Sequence, residues 1–254
     1  MIERNHIKKI IIYFLSILTF LLLWTLIAKS INASLILPPI SYVFKEIISL
    51  VQKQNFWVNF FYTIGRVFLG FFISLALGII LGLLSGTFPS VKYFLDIPLT
   101  FIRSTPVVAI ILVVSFWFKS NIIPVFVCVL MCLPIAVTSV TEGMKKNNEN
   151  LLFMAQIYNF TSWQKFRYIK LYDLKPFIIN AAISIFGLTW KVVVAGEVLS
   201  IPKFGFGSLM NTAQVHLETA TVIAITLILV TSSFILEKLV SWTLKLILKR
   251  GGTK

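Results

Sequence analysis

The apolar positions divide the chain into about six stretches long enough to cross a bilayer as helices, separated by short polar segments rich in lysine and arginine. The first covers residues 10–28, behind Arg4, Lys8 and Lys9, with Trp24 near its far end as an interface anchor. It is longer than a signal-peptide core and no small-residue cleavage site follows, so it reads as a retained first helix. Leu37-Pro38-Pro39 then leads into an amphipathic helix over residues 41–53. Ser41 is placed as its N-cap, and Val43, Phe44, Ile47, Ile48 and Val51 form an apolar stripe. The remaining spans fall at residues 60–84, 106–118, 122–140, 177–194 and 221–240. Residues 87–103, with Pro89 and Pro98, read as a loop, and Lys119-Ser120-Asn121 as a tight turn. The third span is short and opens with Pro106, which predicts a broken or tilted crossing, and Pro134 predicts a kink in the fourth.

Within the second span, Gly78, Gly82 and Gly86 recur every fourth residue. Small residues at that interval lie on one helix face and let a neighbouring helix approach closely.

The segment 150–176 is polar and basic, and lies between two apolar spans. Leu151, Met154, Ala155 and Tyr158 share one helical face. Asn159 follows, a residue that tolerates the left-handed conformation ending many helices. Thr161-Ser162-Trp163-Gln164 has the form of a capping box, in which the Thr161 hydroxyl accepts from the backbone of Gln164 and the Gln164 amide reaches back. A second short helix carries Trp163, Phe166, Arg167 and Lys170, and Pro176 opens the next span at a position where its missing N–H costs little. The expected shape is a helix, a corner and a helix, which suits the docking of a partner; an amphipathic loop lying on lipid has the same pattern.

Composition bounds the class. The chain has 254 residues, of which 58% are hydrophobic and 13% charged. Its mean hydropathy is +0.93, too apolar for one aqueous core. The fold class expected is therefore an all-α polytopic membrane protein, since the alternating pattern of a membrane barrel is absent. The net charge of +14 would suggest nucleic acid in a soluble protein. Here the basic residues gather on one side of the spans. That side holds the N-terminal cluster, Lys92, Arg103, the central segment and the tail with Lys245, Lys249, Arg250 and Lys254; the other holds only Lys29, Lys45, Lys53, Lys119 and Lys203. Orientation explains the charge without nucleic acid, and it places both termini and the central segment in the cytoplasm. Cys128 and Cys132 sit inside an apolar span and read as packing, and His6 and His216 have no ligand motif near them, so no metal site is expected.

No phosphate-binding G-x-x-x-x-G-K-[ST] loop is present, nor any motif of a hydrolase or metalloprotease, so the chain is expected neither to hydrolyse ATP nor to be an enzyme. Three ionisable groups remain at membrane depth: Arg66, Lys191 and Glu197. They are candidates for lining a solute path, because such groups face a partner or water. Snorkelling to the headgroups or structural pairing is the other reading for Arg66 and Lys191, while Glu197 is too short to snorkel far.

At these residues the chain resembles the permease subunits of bacterial ABC importers, in the branch that serves nitrate, sulfonates, taurine and thiamine precursors. That family carries a cytoplasmic loop with the pattern E-A-A, three residues, Gly, nine residues, Ile, any residue, Leu-Pro. Its second Ala falls on Ala155, its Gly on Asn159, its Ile on Ile169 and its Leu on Leu171, with the family's Trp-Gln at Trp163-Gln164. Phe153 and Met154 replace the Glu and first Ala, and Tyr172 replaces the Pro. Further similarities run in order along the chain: Leu37-Pro38-Pro39, Gly65-Arg66-Val67-Phe68-Leu69-Gly70-Phe71, Arg103-Ser104-Thr105-Pro106, Trp190 through Glu197, and Gly205-Phe206-Gly207.

The resemblance implies a type I importer-like transmembrane domain over residues 1–254, with a permease core at about 60–245 and coupling helices at 144–175. It implies that Ala155, Asn159, Trp163, Ile169 and Leu171 couple to an ABC ATP-binding subunit. ATP would be bound by that partner, with no cofactor on this chain. A second permease copy, an extracytoplasmic solute-binding protein and membrane lipid complete the expected partners, and the bacterial inner membrane the expected location. A non-transporting membrane scaffold is the competing reading.

Overall fold

A computed structural model describes the backbone of residues 2–146 and 149–251 and the side chains of 11–146 and 151–246. Lys254 and the side chains of Arg4, His6, Lys8, Lys9, Asn150, Lys249 and Arg250 therefore lie outside the described residues. The described residues are helical, without strands. In order the helices are α1 (Ile2–Ile31), α2 (Ile40–Gln52), α3 (Gln54–Thr87), α4 (Pro89–Ser104), α5 (Val107–Val114) and α6 (Ile123–Lys145). They continue as α7 (Glu149–Ile157), α8 (Ser162–Lys165), a π turn (Phe166–Lys170), α9 (Leu171–Ser200), α10 (Phe206–Val215) and α11 (Thr219–Gly251). Five helices are long and apolar enough to cross a membrane. The α4–α5 pair, bent by 101°, makes a sixth crossing if taken as one broken span.

Two compact units emerge from the packing: Met1–Trp57 with Leu209–Val230, and Val58–Ser208 with Thr231–Lys254. In the first, α1 exposes nearly all of its apolar side chains, as a helix does when lipid is its solvent. Trp24 is tied to its own chain: its indole N–H donates to the Pro38 carbonyl at 3.1 Å. Helix α2 starts after Pro39, and no side-chain cap bond forms at its N-terminus, so Ser41 is not the N-cap. Proline has no N–H to be orphaned there and its fixed φ already suits a helix start. Val43 and Leu50 are the buried positions of α2, while Phe44, Ile48 and Val51 of the expected stripe are exposed.

In the second unit, α6 packs between α3 and α9. Gly78, Gly82 and Gly86 of α3 face Ala136, Val140 and Met144 of α6, each set advancing one helical turn at a time. A Cβ on Gly82 would lie 2.6 Å from the Val140 Cβ and 3.1 Å from the Val137 carbonyl oxygen. Thr141 uses the closeness to donate to the Gly82 carbonyl at 3.3 Å. Also on α6, Gly143 admits Leu174 and Phe177 of α9, and Gly196 of α9 seats against Pro124. Phe71 and Phe186 close the core edge to face, 5.3 Å between ring centres.

Two expectations about breaks are corrected. The expected loop at residues 87–103 is instead the end of α3 and the helix α4 (Pro89–Ser104). Pro89 occupies its first turn, where no N–H is required, and Pro98 removes a single ladder bond from an exposed helix. The second short helix of the central segment does not end before Pro176. It runs through the π turn into α9, and Pro176 lies inside α9. Lys170 explains the continuity: its ammonium donates to the Met144 carbonyl at 2.9 Å, pinning the π turn to the end of α6. Pro134, where a kink is expected, lies inside α6.

The glycine face makes a sharp contrast within one helix. Gly82→Leu must displace α6 and is expected to cost about 1–3 kcal/mol, read as a lower unfolding temperature in detergent. Gly65 has nothing within 4 Å of a built Cβ, so Gly65→Ala should leave that temperature unchanged or raise it. Equal behaviour of the two variants would refute close packing along Gly78–Gly86.

Candidate functional site

Two constructions in the second unit gather most of the residues singled out in the sequence. One is the corner after α7. The Phe160 N–H donates to the Ala155 carbonyl at 2.8 Å and the Asn159 N–H to the Gln156 carbonyl at 3.1 Å. With Asn159 at φ 52°, this is a Schellman cap. The next helix is capped at once: the Gln164 N–H donates to Thr161 Oγ1 at 3.3 Å, and the Thr161 N–H donates to Gln164 Oε1 at 2.8 Å. Two caps back to back leave the corner little freedom, since each satisfies backbone groups that would otherwise need water.

Ala155 and Ile169 are buried and hold the corner to its surroundings. Trp163 is 66% exposed and stacks on Phe166, with ring centres 6.0 Å apart. Leu171 is also exposed, at the start of α9. Phe153, Met154, Ile157 and Tyr158 face outward as well, so the corner presents an apolar, aromatic surface beside Lys165 and Arg167.

The other construction surrounds Glu197, which is fully buried. Asn59, Thr63 and Arg66 occupy one face of α3 at helical spacing. Arg66 Nη1 donates to Glu197 Oε1 at 2.6 Å and to the Phe204 carbonyl at 2.6 Å. Thr63 Oγ1 donates to Glu197 Oε2 at 2.8 Å, and the Gly207 N–H donates to the same oxygen at 3.0 Å. Asn59 accepts from the Gly205 N–H at 2.6 Å, and Thr63 accepts from the Phe206 N–H at 2.8 Å.

The glycines are required by this geometry. Gly205 has φ 148°, and a Cβ there would lie 2.6 Å from the Glu197 carboxyl carbon. Ile201 begins the turn at φ 46°, an uncommon conformation for a β-branched residue, enforced where its N–H closes on the Glu197 carbonyl at 3.0 Å.

Arg66 and Glu197 therefore pair with each other, the structural alternative to snorkelling. Lys191 does not join them: it is exposed on another face of α9 and forms no ion pair among the described residues. Asn59 and Thr63 went unnoticed in the sequence, although polar residues at helical spacing in an apolar span were the available signal. No group of three or more metal-ligating side chains occurs among the described residues.

Helices that cross a membrane, an ion pair held at depth and a rigid basic corner define a multi-pass membrane permease. The chain belongs to the family of binding-protein-dependent transport system inner membrane components, whose family model matches residues 74–247. It falls in the ABC-importer permease branch of nitrate, sulfonate and taurine systems. It is 25% identical to the taurine transport system permease protein TauC of Escherichia coli (strain K12), over 84% of this chain and 80% of that one. It is 27% identical to the bicarbonate transport system permease protein CmpB of Synechocystis sp. (strain ATCC 27184 / PCC 6803 / Kazusa), over 75% of this chain and 72% of that one.

Removing one partner of a buried pair strands the other without a counter-charge. Arg66→Met is expected to cost about 3–5 kcal/mol, and Glu197→Met a similar amount. The double variant should lose less than the sum, with a coupling of about 0.5–3 kcal/mol in detergent unfolding. Strictly additive losses would show that the two charges do not depend on each other.

Proposed function

We propose that this chain is the membrane-spanning subunit of an ATP-driven importer and that the corner at residues 150–176 transmits the movement of a separate ATP-binding subunit. The observation that carries the reading is the doubly capped turn at Asn159–Gln164, rigid enough to act as a lever and apolar enough to seat in a protein groove. Ala155 and Ile169 anchor the lever from beneath; Trp163 and Leu171 offer the partner-facing surface, and Asn159 sets the bend. ATP is bound by the partner, which closes on nucleotide and drives the lever as a rigid body.

In this reading the chain is one transmembrane domain with its permease core at about 60–245. Two copies enclose the solute path, and an extracytoplasmic binding protein delivers solute to it. Both termini and the corner are cytoplasmic in this reading, which the distribution of lysine and arginine supports. Lys191, exposed on α9, is a charged group available to the path, while Arg66 and Glu197 brace its outer end as a self-neutralised pair.

Asn159→Ile places a β-branched residue in the left-handed region. It is expected to reduce solute-stimulated ATPase activity of the assembled complex at least severalfold while membrane insertion persists. Asn159→Gly, which accepts that backbone without strain, should keep the activity. An Asn159→Ile protein that transports normally would remove the corner from the mechanism. Co-purification adds an independent reading: a transport subunit retains an ATP-binding partner in mild detergent, and a non-transporting scaffold does not. Cysteines introduced at Phe153 or Trp163 should be labelled from the cytoplasmic side only; labelling from outside would reverse the topology.

A further inference from the structure

Near the middle of α9, Gly187 meets Glu237 of α11: a Cβ built on the glycine would lie 3.4 Å from the Glu237 carboxyl carbon. The Glu237 side chain is half-buried and has neither an ion pair nor a hydrogen bond among the described residues. Lys191 stands one turn further along the same face of α9. Its side chain is exposed and equally without a partner among the described residues. Asn180 and Ser184 extend this face and are exposed too, so a polar strip runs along a helix that is apolar enough to cross a membrane. Charged groups in such a helix pair with one another or face water.

The two charges are within reach of each other. Residues four apart on a helix carry Cβ atoms about 5–6 Å apart, and with the 3.4 Å contact this puts the Glu237 carboxyl carbon at most about 9 Å from the Lys191 Cβ. Helical side chains lean towards the N-terminus and cover the preceding turn, so Lys191 leans over Gly187. Its flexible four-carbon stem covers the gap by rotation about its own bonds, with neither helix moving. A larger side chain at 187 would stand between the two groups; glycine leaves a notch. The neighbouring charges are placed elsewhere. Lys238, next on α11, holds its ammonium 5.5 Å from the centre of the Phe234 ring. Cys132 lies beside the Ile185 carbonyl and Ser139 beside the Phe177 carbonyl, so α6 runs antiparallel to α9. Glu142 therefore lies beyond the level of Phe177, about 15 Å or more along α9 from Gly187. Arg103 is tied to Thr138, close to the same level. Arg66 and Glu197 answer each other.

We propose that Glu237 is the internal counter-ion of Lys191. The lysine side chain has two positions: exposed on α9, as in this structure, and folded back over Gly187 onto the Glu237 carboxylate. The second position ties α11 to α9 in mid-span. It also withdraws the ammonium from the face of α9 offered to the solute path, and this part of the proposal rests on the transport reading. Glu237 is a positioning residue, acting through Lys191.

The full chain is placed in nanodiscs, one copy in each, and its unfolding temperature is measured. Removing a carboxylate that stands alone in the membrane would hold or raise that temperature. If Lys191 is its partner, Glu237→Gln strands the lysine and should lower the temperature by about 2–4 °C. Lys191→Gln should do the same, and the double variant should lose less than the sum. The reversed pair, Lys191→Glu with Glu237→Lys, should recover most of the loss, and Lys238→Gln alone should change nothing. Additive losses, or a Glu237→Gln protein as stable as the wild type, would overturn the proposal. So would coupling of Glu237 to Lys238, or coupling that appears only with two copies in a nanodisc, which gives the carboxylate to a second chain. A second readout uses the assembled complex and a water-soluble acylating reagent, with the modified lysines identified by mass spectrometry. Lys191 should react severalfold faster in Glu237→Gln than in the wild type, while Lys238 keeps its rate; an unchanged Lys191 rate also overturns the proposal. Failure of the transport reading is distinct: Lys191 and Glu237 remain coupled in the chain alone, but no ATP-binding subunit accompanies it.

Discussion

A carboxylate at membrane depth persists only when other groups replace the water it has lost, and the part of the second unit around Glu197 is built on that requirement. Glu197 receives donors from Arg66, Thr63 and the backbone of Gly207. Those donors come from α3 and from the turn after α9, so satisfying one side chain fixes three pieces of chain. The turn has no alternative shape. Gly205 must lack a Cβ to pass the carboxylate and Gly207 to pass the α9 backbone at Glu197 and Val198, and Ile201 is held left-handed to reverse the chain beside it. The pair adds specificity of arrangement where the burial of apolar surface, which lipid supplies equally well, cannot.

The same shortage of hydrophobic drive explains the glycine face. Helices in lipid associate through close van der Waals contact, so α3 and α6 meet where Gly78, Gly82 and Gly86 allow backbones to approach. Polar groups on α6 then find partners at short range: Thr141 on Gly82, Ser139 on Phe177, and the Met144 carbonyl on Lys170. Helix α6 thus connects the packing of the bundle to the position of the corner at Asn159–Gln164. A shift of α6 reaches the π turn through the Lys170 bond, and this gives the proposed lever a physical route into the membrane.

The corner departs from its family at Phe153 and Met154, which stand where the Glu and first Ala are usual. Both are exposed, so the surface offered to a partner gains apolar area and loses a negative charge. The bend is unaffected, because it depends on Asn159, Thr161 and Gln164. Geometry and surface chemistry are therefore separable here. If the corner is the proposed lever, its bend is kept, and the groove that receives it is expected to be more apolar than one that binds a carboxylate.

Periodicity and local chemistry made much of this legible beforehand. The long apolar helices, the broken third span, the Asn159 corner and the Thr161 capping box depend on residues within one or two turns of each other, and they could be read in order. The errors share a cause. Pro89, Pro98 and Pro176 were taken as breaks, yet proline stops a helix only where the missing bond and ring cannot be accommodated, and neighbours decide that. Ser41 had the chemistry of a cap but Pro39 set the start. The residues that surround Glu197 lie more than 130 positions away on α3 or after the turn. Composition determined that the chain dissolves in lipid as helices and which side carries its charge. Only the tertiary structure decided that Arg66 meets Glu197 while Lys191 does not, because pairing across a bundle depends on helix rotation and depth, and no local spacing encodes either.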